Sequence, residues 1–394
     1  MGSAIVSPLK TNLLPSFTSF TNKKRCFLKA EVDETQKQIE SMPISKSPSG
    51  SNMSFFLVTL VLGFVLSFGV TQKTLKYALK KGLLDEPNHR SSHKKATPTS
   101  GGLGLVLGVS TGMFLLLWQT FDPFLLFLVF AGLLVSLSGL WDDIKGLSVQ
   151  IRFLLYLLLS IAGLFLLNHS YGLTIPFLTH QVQTPTLTFP FYLLFILWLI
   201  NLYNFMDGID GLLTTQGICV SLGYILLLLI QNSSALEQIY TQTYALIAVC
   251  LLSFLFFNWH PAKIFMGNVG SIFLGFILAF LAVLGQIAFQ IPLECTLIIH
   301  GAFLTDATTT LIRRGLSGQN VLKAHRDHAY QHATQMGYSH AQVSLFFAFL
   351  NLFWLVPLAL LALLYPHGAF LILVIAFTPL FYLVWKFKAG IKTS

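Results

Sequence analysis

Charge is what this chain has least of: 10% of its 394 residues are Asp, Glu, Lys or Arg, against roughly 25% in ordinary soluble domains. With 54% hydrophobic and 14% aromatic residues, that scarcity excludes a soluble globular protein and places the chain in a lipid bilayer. Cysteine is also sparse. Cys26, Cys219, Cys250 and Cys295 are widely separated and three lie in apolar runs, which fits buried small side chains better than a disulfide framework or a CxxC metal site. The excess of 24 basic over 15 acidic residues, a net charge of +9, is broken up by long apolar segments. No basic domain for nucleic acid is present, so the charges read as membrane topology.

What the chain has in quantity is apolar runs. Spans can be placed at roughly 54–71, 102–119, 123–140, 152–168, 189–204, 211–231, 242–259, 268–286, 290–305, 342–363 and 367–386, at about twenty residues per crossing. The predicted fold is an all-α polytopic membrane protein with about 10–11 transmembrane helices. If each span reverses the side, every Lys and Arg after residue 53 falls on one face, which the positive-inside rule makes cytoplasmic. Most of the acids share that face, and topology does not explain acids. Only Asp122, Glu237 and Glu294 fall opposite.

Residues 1–52 break the pattern. They are rich in Ser, Thr and Pro, lack acids through residue 30, and carry Lys10, Lys23, Lys24, Arg25 and Lys29. They are expected to be a targeting-like or added extension without fixed structure, with Met53 opening the membrane domain, 53–394.

Five polar clusters lie on the predicted cytoplasmic face. In "LLDEPNHRSSHKKATPTSGG" (83–102), Asp85, Asn88, Arg90 and His93 precede a glycine turn, a pattern that suits an anion site or a solvated loop. In "GLWDDIKG", Asp142 and Asp143 are adjacent, and adjacent carboxylates need water, a cation or a proton between them. In "NLYNFMDGIDGL" (201–212), Asn204, Asp207 and Asp210 recur every three residues. On a helix they would share much of one face and converge on a ligand, with Gly208 and Gly211 admitting a close neighbour. In "NWHPAKIFMGNVGS" (258–271), Gly267, Asn268, Gly270 and Ser271 form either a helix-start phosphate site or a tight turn. The loop 306–341 carries Arg313, Arg314 and "KAHRDHAYQHA", in which His325, Arg326 and His328 supply the cation and imidazoles of a pyrophosphate site. The His–x2–His spacing there lacks companion cysteines and is not read as zinc. The spans themselves are nearly charge-free, which disfavours a transporter with midplane ionisable groups.

In this order, "LLDEPNHRSSH…PTSGG", "DD", "NLYNFMDGIDGL", "MGNVGS" and "HRDHAYQ" closely resemble the polyprenyl-phosphate N-acetylhexosamine-1-phosphate transferase superfamily, glycosyltransferase family 4. The resemblance runs from about residue 55 to 350. The "RSSH" and "HRDHAYQHA" forms are more similar to the bacterial branch that initiates O-antigen and related surface glycans, including lipopolysaccharide, than to the peptidoglycan branch.

The resemblance implies a Mg2+-dependent enzyme, a role Mn2+ could also fill. It would transfer a sugar-1-phosphate from a UDP-N-acetylhexosamine to polyprenyl phosphate, with its active site facing the cytoplasm. It assigns Asn204, Asp207 and Asn268 to the metal, and Asp142, Asp143, Asp207 and His325 to catalysis. Asp142 and Asp143 would bind the acceptor phosphate region and take any residual proton. Substrate would be held by Asp85, Asn88, Arg90, His93, Asp210, Gly267, Arg326 and His328. A second copy of the chain could be a partner. The chain departs from the family at Asn268, where an aspartate is usual; an amide brings no charge to a hard cation. Weaker metal affinity is expected, with an impaired homologue that still binds UDP-sugar or lipid as the alternative and a lipid or solute transporter as a second.

Overall fold

The structure is a computed structural model that describes residues 53–82, 84–86, 96–177, 180–182, 185–232, 234–321 and 325–391. The expectations for residues 1–52 and for Asn88, Arg90 and His93 lie outside these. Among the described residues the chain is helical almost throughout, with ten helices long and apolar enough to cross a membrane. The expected all-α polytopic architecture is borne out. In chain order, α1 is Met53–Lys81, α2 Gly102–Gln119, α3 Pro123–Lys145, α4 Val149–Tyr171, α5 Pro185–Phe205, α6 Leu212–Gln231, α7 Ile239–Asn258 and α8 Gly267–Ala288. There follow α9 Leu293–Ile299, α10 Gly301–Leu316, α11 Ala329–Gln335, α12 His340–Leu350, α13 Val356–Leu364 and α14 Ala369–Lys386. A π-turn, Asn351–Leu355, joins α12 to α13 as one span. Two short hairpins complete the set: β1 Leu84–Asp85 with β2 Thr97–Pro98, and β3 Ile175–Phe177 with β4 His180–Val182.

Helix α8 is the core. It is buried along its whole length, and α3 and α5 pack against it. Large apolar side chains such as Val61, Phe130, Phe165, Phe353 and Phe370 remain exposed on the outer helices. On a soluble protein such a belt would be an aggregation surface; here it is the face presented to lipid. Asp122, an acid on the opposite side, is accounted for as a cap: it starts α3, accepting from Leu125 N at 2.7 Å and from the Tyr240 hydroxyl at 2.6 Å.

Three expectations change. The span at 290–305 is not straight: α9 and α10 meet at a 79° bend at His300. The segment 306–341 is not one long loop. Helix α10 continues to Leu316, which puts Arg313 and Arg314 on its last turn, and α11 occupies 329–335. Finally, 201–210 is not helical throughout. Helix α5 ends at Phe205, so Asn204, Asp207 and Asp210 do not share one helix face. The reason is tertiary. The Tyr330 hydroxyl donates to Phe205 O at 3.1 Å, satisfying a carbonyl of the last turn, and lies where a Cβ at Gly208 would be, so the chain after Phe205 packs on this ring.

Candidate active site

The site is built where α3 and α5 end and α8 begins. Helix α8 begins at Gly267, whose φ of +72° favours glycine, and a Cβ there would lie 2.6 Å from Asp143 Oδ2. The vacant space lets Asp143 cap the helix. Asn268 N donates to Asp143 Oδ1 at 3.0 Å, Val269 N to Oδ2 at 3.3 Å, and the Ser100 hydroxyl to Oδ2 at 3.1 Å. A carboxylate at a helix N-terminus is worth about 1 kcal/mol. The sequence suggested these N–H groups, and Gly267 with them, for a substrate phosphate; in the fold Asp143 already accepts from them.

Asp142 is committed as well. It accepts from Leu147 N at 2.7 Å and from the Asn268 amide (Nδ2 to Oδ2, 2.6 Å), and pairs with Arg152. Asn268 Oδ1 in turn accepts from Asn204 Nδ2 at 2.7 Å, and the same Nδ2 reaches Ser271 Oγ at 3.0 Å. Both aspartates expected to bind acceptor phosphate and take a proton thus also help fix the loop around Asn268, and burial, outweighing the hydrogen bonds that Asp143 accepts, pushes its pKa up to about 6.

Asp207 differs from both. No hydrogen bond reaches its carboxylate among the described residues. Burial, with a smaller contribution from the charge of Asp143, pushes its pKa up to about 7. A half-buried carboxylate with no donor among the described residues, within electrostatic reach of Asp143, fits a hard divalent cation. Asn204 and Asn268 offer neutral oxygens, and Asp207 offers the charge.

Asp210, three residues on, belongs to a second compartment. It lines an open cavity of about 920 Å3 with His260, Lys263, Phe265, Arg326 and His340. Its Oδ2 lies 2.6 Å from His260 Nδ1 and accepts from Ala262 N at 3.2 Å, and its Oδ1 lies 3.2 Å from His340 Nδ1. Burial alone would raise the pKa of Asp210; the hydrogen bonds from His340 and His260 outweigh it and hold the carboxyl below its ordinary value. The cavity therefore presents an ionised acceptor flanked by the basic side chains Lys263 and Arg326.

The histidine loop is fastened to α10. Asp306 accepts from Ala329 N at 2.8 Å and Tyr330 N at 3.1 Å, capping α11, and Arg314 pairs with Asp327. Of the expected trio, only Arg326 lines the cavity. His328 is buried, stacked on Tyr330, with Nδ1 3.4 Å from Asp306. The pKa of His325 is pushed down to about 4 by burial and by its neighbours His328 and Arg314, so it is a neutral imidazole and not a cation for pyrophosphate. Asp85 lies on β1, paired with Thr97 and outside the set lining this cavity.

His260, His340, Arg152, Asp306 and Tyr330 were not singled out from the sequence. His260 stood inside a motif read for its glycines and asparagine. His340 follows Ser339, which heads a capping box with Gln342, and that signal marks a helix start and nothing more.

Comparison with known proteins decides the family. Residues 125–286 match the family model described as glycosyl transferase family 4. The chain is 30% identical over 295 residues to the probable undecaprenyl-phosphate N-acetylglucosaminyl 1-phosphate transferase of Bacillus subtilis (strain 168), covering 72% of this chain and 80% of that protein. This chain belongs to glycosyl transferase family 4. It is also 30% identical over 306 residues to the undecaprenyl-phosphate alpha-N-acetylglucosaminyl 1-phosphate transferase of Yersinia pestis, covering 74% of this chain and 80% of that protein. With the phospho-N-acetylmuramoyl-pentapeptide-transferase of Orientia tsutsugamushi (strain Ikeda) it shares 27% identity over 342 residues, 76% of this chain and 89% of that one. As a family 4 member it is a polytopic membrane transferase. The matched region holds the two aspartates, the Asn204–Asp210 loop, the Asp210 cavity wall at His260 to Phe265, and Asn268.

Proposed function

We propose that the chain transfers an N-acetylhexosamine-1-phosphate from a UDP-sugar to polyprenyl phosphate, giving polyprenyl-diphospho-sugar and UMP. The reaction would be the first membrane step of a surface glycan or other cell-envelope polysaccharide, at the cytoplasmic face of a bacterial-type plasma membrane. The observation that carries this reading is the Asp207 carboxylate, unpaired among the described residues, set three residues from Asp210 and the cavity it shares with Lys263 and Arg326. One loop thus serves a cation-type site and an anion-binding cavity together.

The bond formed joins an acceptor phosphate oxygen to the donor's β-phosphorus, and the bond broken links that phosphorus to the bridging oxygen, which leaves with UMP. A phosphate monoester, second pKa near about 6, is largely deprotonated at neutral pH. The barrier is therefore the approach of two anions, and the protein's task is positioning and charge neutralisation. Asn204, Asp207 and Asn268 would hold Mg2+, which supplies charge neutralisation on the diphosphate. Lys263 and Arg326 supply fixed positive charge at the cavity, and Asp210, ionised by its two histidines, accepts N–H or O–H groups of the donor. Asp142 and Asp143 hold Asn268 and the α8 start in register.

The test is UMP release by purified protein in detergent with polyprenyl phosphate and a panel of UDP-N-acetylhexosamines across a Mg2+ titration. Release that requires lipid, donor and metal supports the reading and identifies the sugar. Absence of release with every donor, alongside a folded protein, sinks it.

A further inference from the structure

Asp210, His260 and His340 come from three separate parts of the chain: the α5–α6 loop, the α7–α8 loop and the first residue of α12. One ligand atom from each lies within 4.8 Å of the others. We propose that these three residues form a second metal site, of the Zn2+ type and distinct from the oxygen-donor site at Asp207.

Donor chemistry selects the ion. Two imidazole nitrogens and one carboxylate oxygen are the ligand set of borderline cations such as Zn2+, with the fourth position left open. Mg2+ prefers oxygen donors and gives up its water reluctantly, so it does not compete for two imidazoles. Geometry agrees. Ligand atoms in a tetrahedral zinc site at about 2.0–2.1 Å are about 3.3 Å apart. His340 Nδ1 already stands 3.2 Å from Asp210 Oδ1, while His260 Nδ1, at 2.6 Å from Oδ2, must move outward by less than an ångström. It is free to do so, since its side chain is 36% exposed against 7% for Asp210.

The other two members are held. The Ser344 hydroxyl on α12 donates to Asp210 O at 2.8 Å, and the Ser339–Gln342 capping box fixes the start of α12 under His340. All three residues also line the 920 Å3 cavity, which supplies room for water or an anion at the fourth position. A zinc ion there ties the α12 start to both loops across the cavity and takes the carboxylate that the donor would use. That last consequence, competition with the donor, rests on the transferase reading; binding itself does not.

The experiment separates the two. The full chain in detergent, free of substrate, is titrated with Zn2+ in excess Mg2+, and with Co2+ to read the visible bands of a tetrahedral nitrogen and oxygen site. The expected result is one ion per chain, with binding weakened about 100-fold or more in His340→Ala and in His260→Ala and unchanged in Asp207→Asn and in His325→Ala. X-ray absorption on the unsubstituted zinc-loaded protein, expected to show two imidazoles in the first shell, keeps the test open if a variant fails to fold. Equal binding by the His260→Ala/His340→Ala double variant, loss in His325→Ala instead, or no imidazole in the zinc shell overturns the site. UMP release is then measured with and without zinc: inhibition relieved by donor supports the competition, whereas a protein that binds zinc through these residues but turns over no donor leaves the site standing and removes the transferase reading.

Discussion

Asn268 is gripped from both sides: its amide donates to Asp142 at 2.6 Å, and its carbonyl accepts from Asn204 at 2.7 Å. An aspartate, the residue usual for the resembled family, could not make the first of these bonds. Here the amide ties Asp142 to the helix start. Asn268→Asp should therefore lower the thermal midpoint of the metal-free protein, because two carboxylates would face each other. Mg2+ should restore it, and the half-saturating Mg2+ for UMP release should fall by on the order of tenfold. An unchanged Mg2+ curve removes Asn268 from the metal site.

Asp207→Ala should reduce UMP release by at least about 100-fold, the scale for a lost charge-stabilising group. Monodispersity and helical content should be retained, since no hydrogen bond to this carboxylate is lost among the described residues. Single-turnover release at saturating donor is the measurement; near-normal release would return the role to Asp142 or Asp143.

The same carboxyl sets a pH dependence of stability. Its folded pKa of about 7 lies above the ordinary 3.8, so the folded state binds the proton more tightly. Stability from this group is present at low pH and declines as pH rises through the interval, levelling off above about 7. In chelator, Asp207→Asn should thus become more stable than the parent as pH rises from 5 to 8, by about a few degrees at the upper end. Saturating Mg2+ should narrow the gap. Thermal midpoints at matched pH test it, and a gap that shrinks as pH rises contradicts the burial argument.

Gly208→Ala should destabilise by about 1–3 kcal/mol, because the added Cβ meets the Tyr330 ring and hydroxyl. In the Gly208→Ala/Tyr330→Phe pair the loss should be less than the sum of the single variants, since removing the hydroxyl relieves the nearest clash. A double-mutant cycle on thermal or denaturant midpoints decides. Strict additivity would show that the Tyr330 hydroxyl does not constrain the chain at Gly208.

Asp306→Ala strips the start of α11 of its two acceptors, at a cost of about 1–3 kcal/mol for the buried N–H groups left behind. Amide exchange over 325–335 should rise locally while α8 stays protected. Arg326, carried by this segment, should lose its place at the cavity, and donor affinity should fall with it.

The membrane architecture was legible because lipid leaves the chain one inexpensive way to satisfy its backbone: runs of apolar residues forming helices. The five polar motifs were legible for the same reason, as polar groups stand out where so few exist. What each polar group does was not legible. Asp142, Asp143, Asp207 and Asp210 are alike as letters. Asp143 became a helix cap because Gly267 leaves room for it, Asp142 a partner of Arg152 and Asn268, Asp207 a carboxylate unpaired among the described residues, and Asp210 a partner of two histidines. Apart from Arg152, ten residues from Asp142, these differences arise mostly from contacts between segments 50 to 130 residues apart, such as Asp210 with His260 and His340. Periodicity, a local property, could not foresee that Tyr330 would bond the carbonyl of Phe205 or that His340 would turn to Asp210. Sequence determined which residues are polar in an apolar chain; only the tertiary structure decided which carboxylates have their charge answered and which are left to bind.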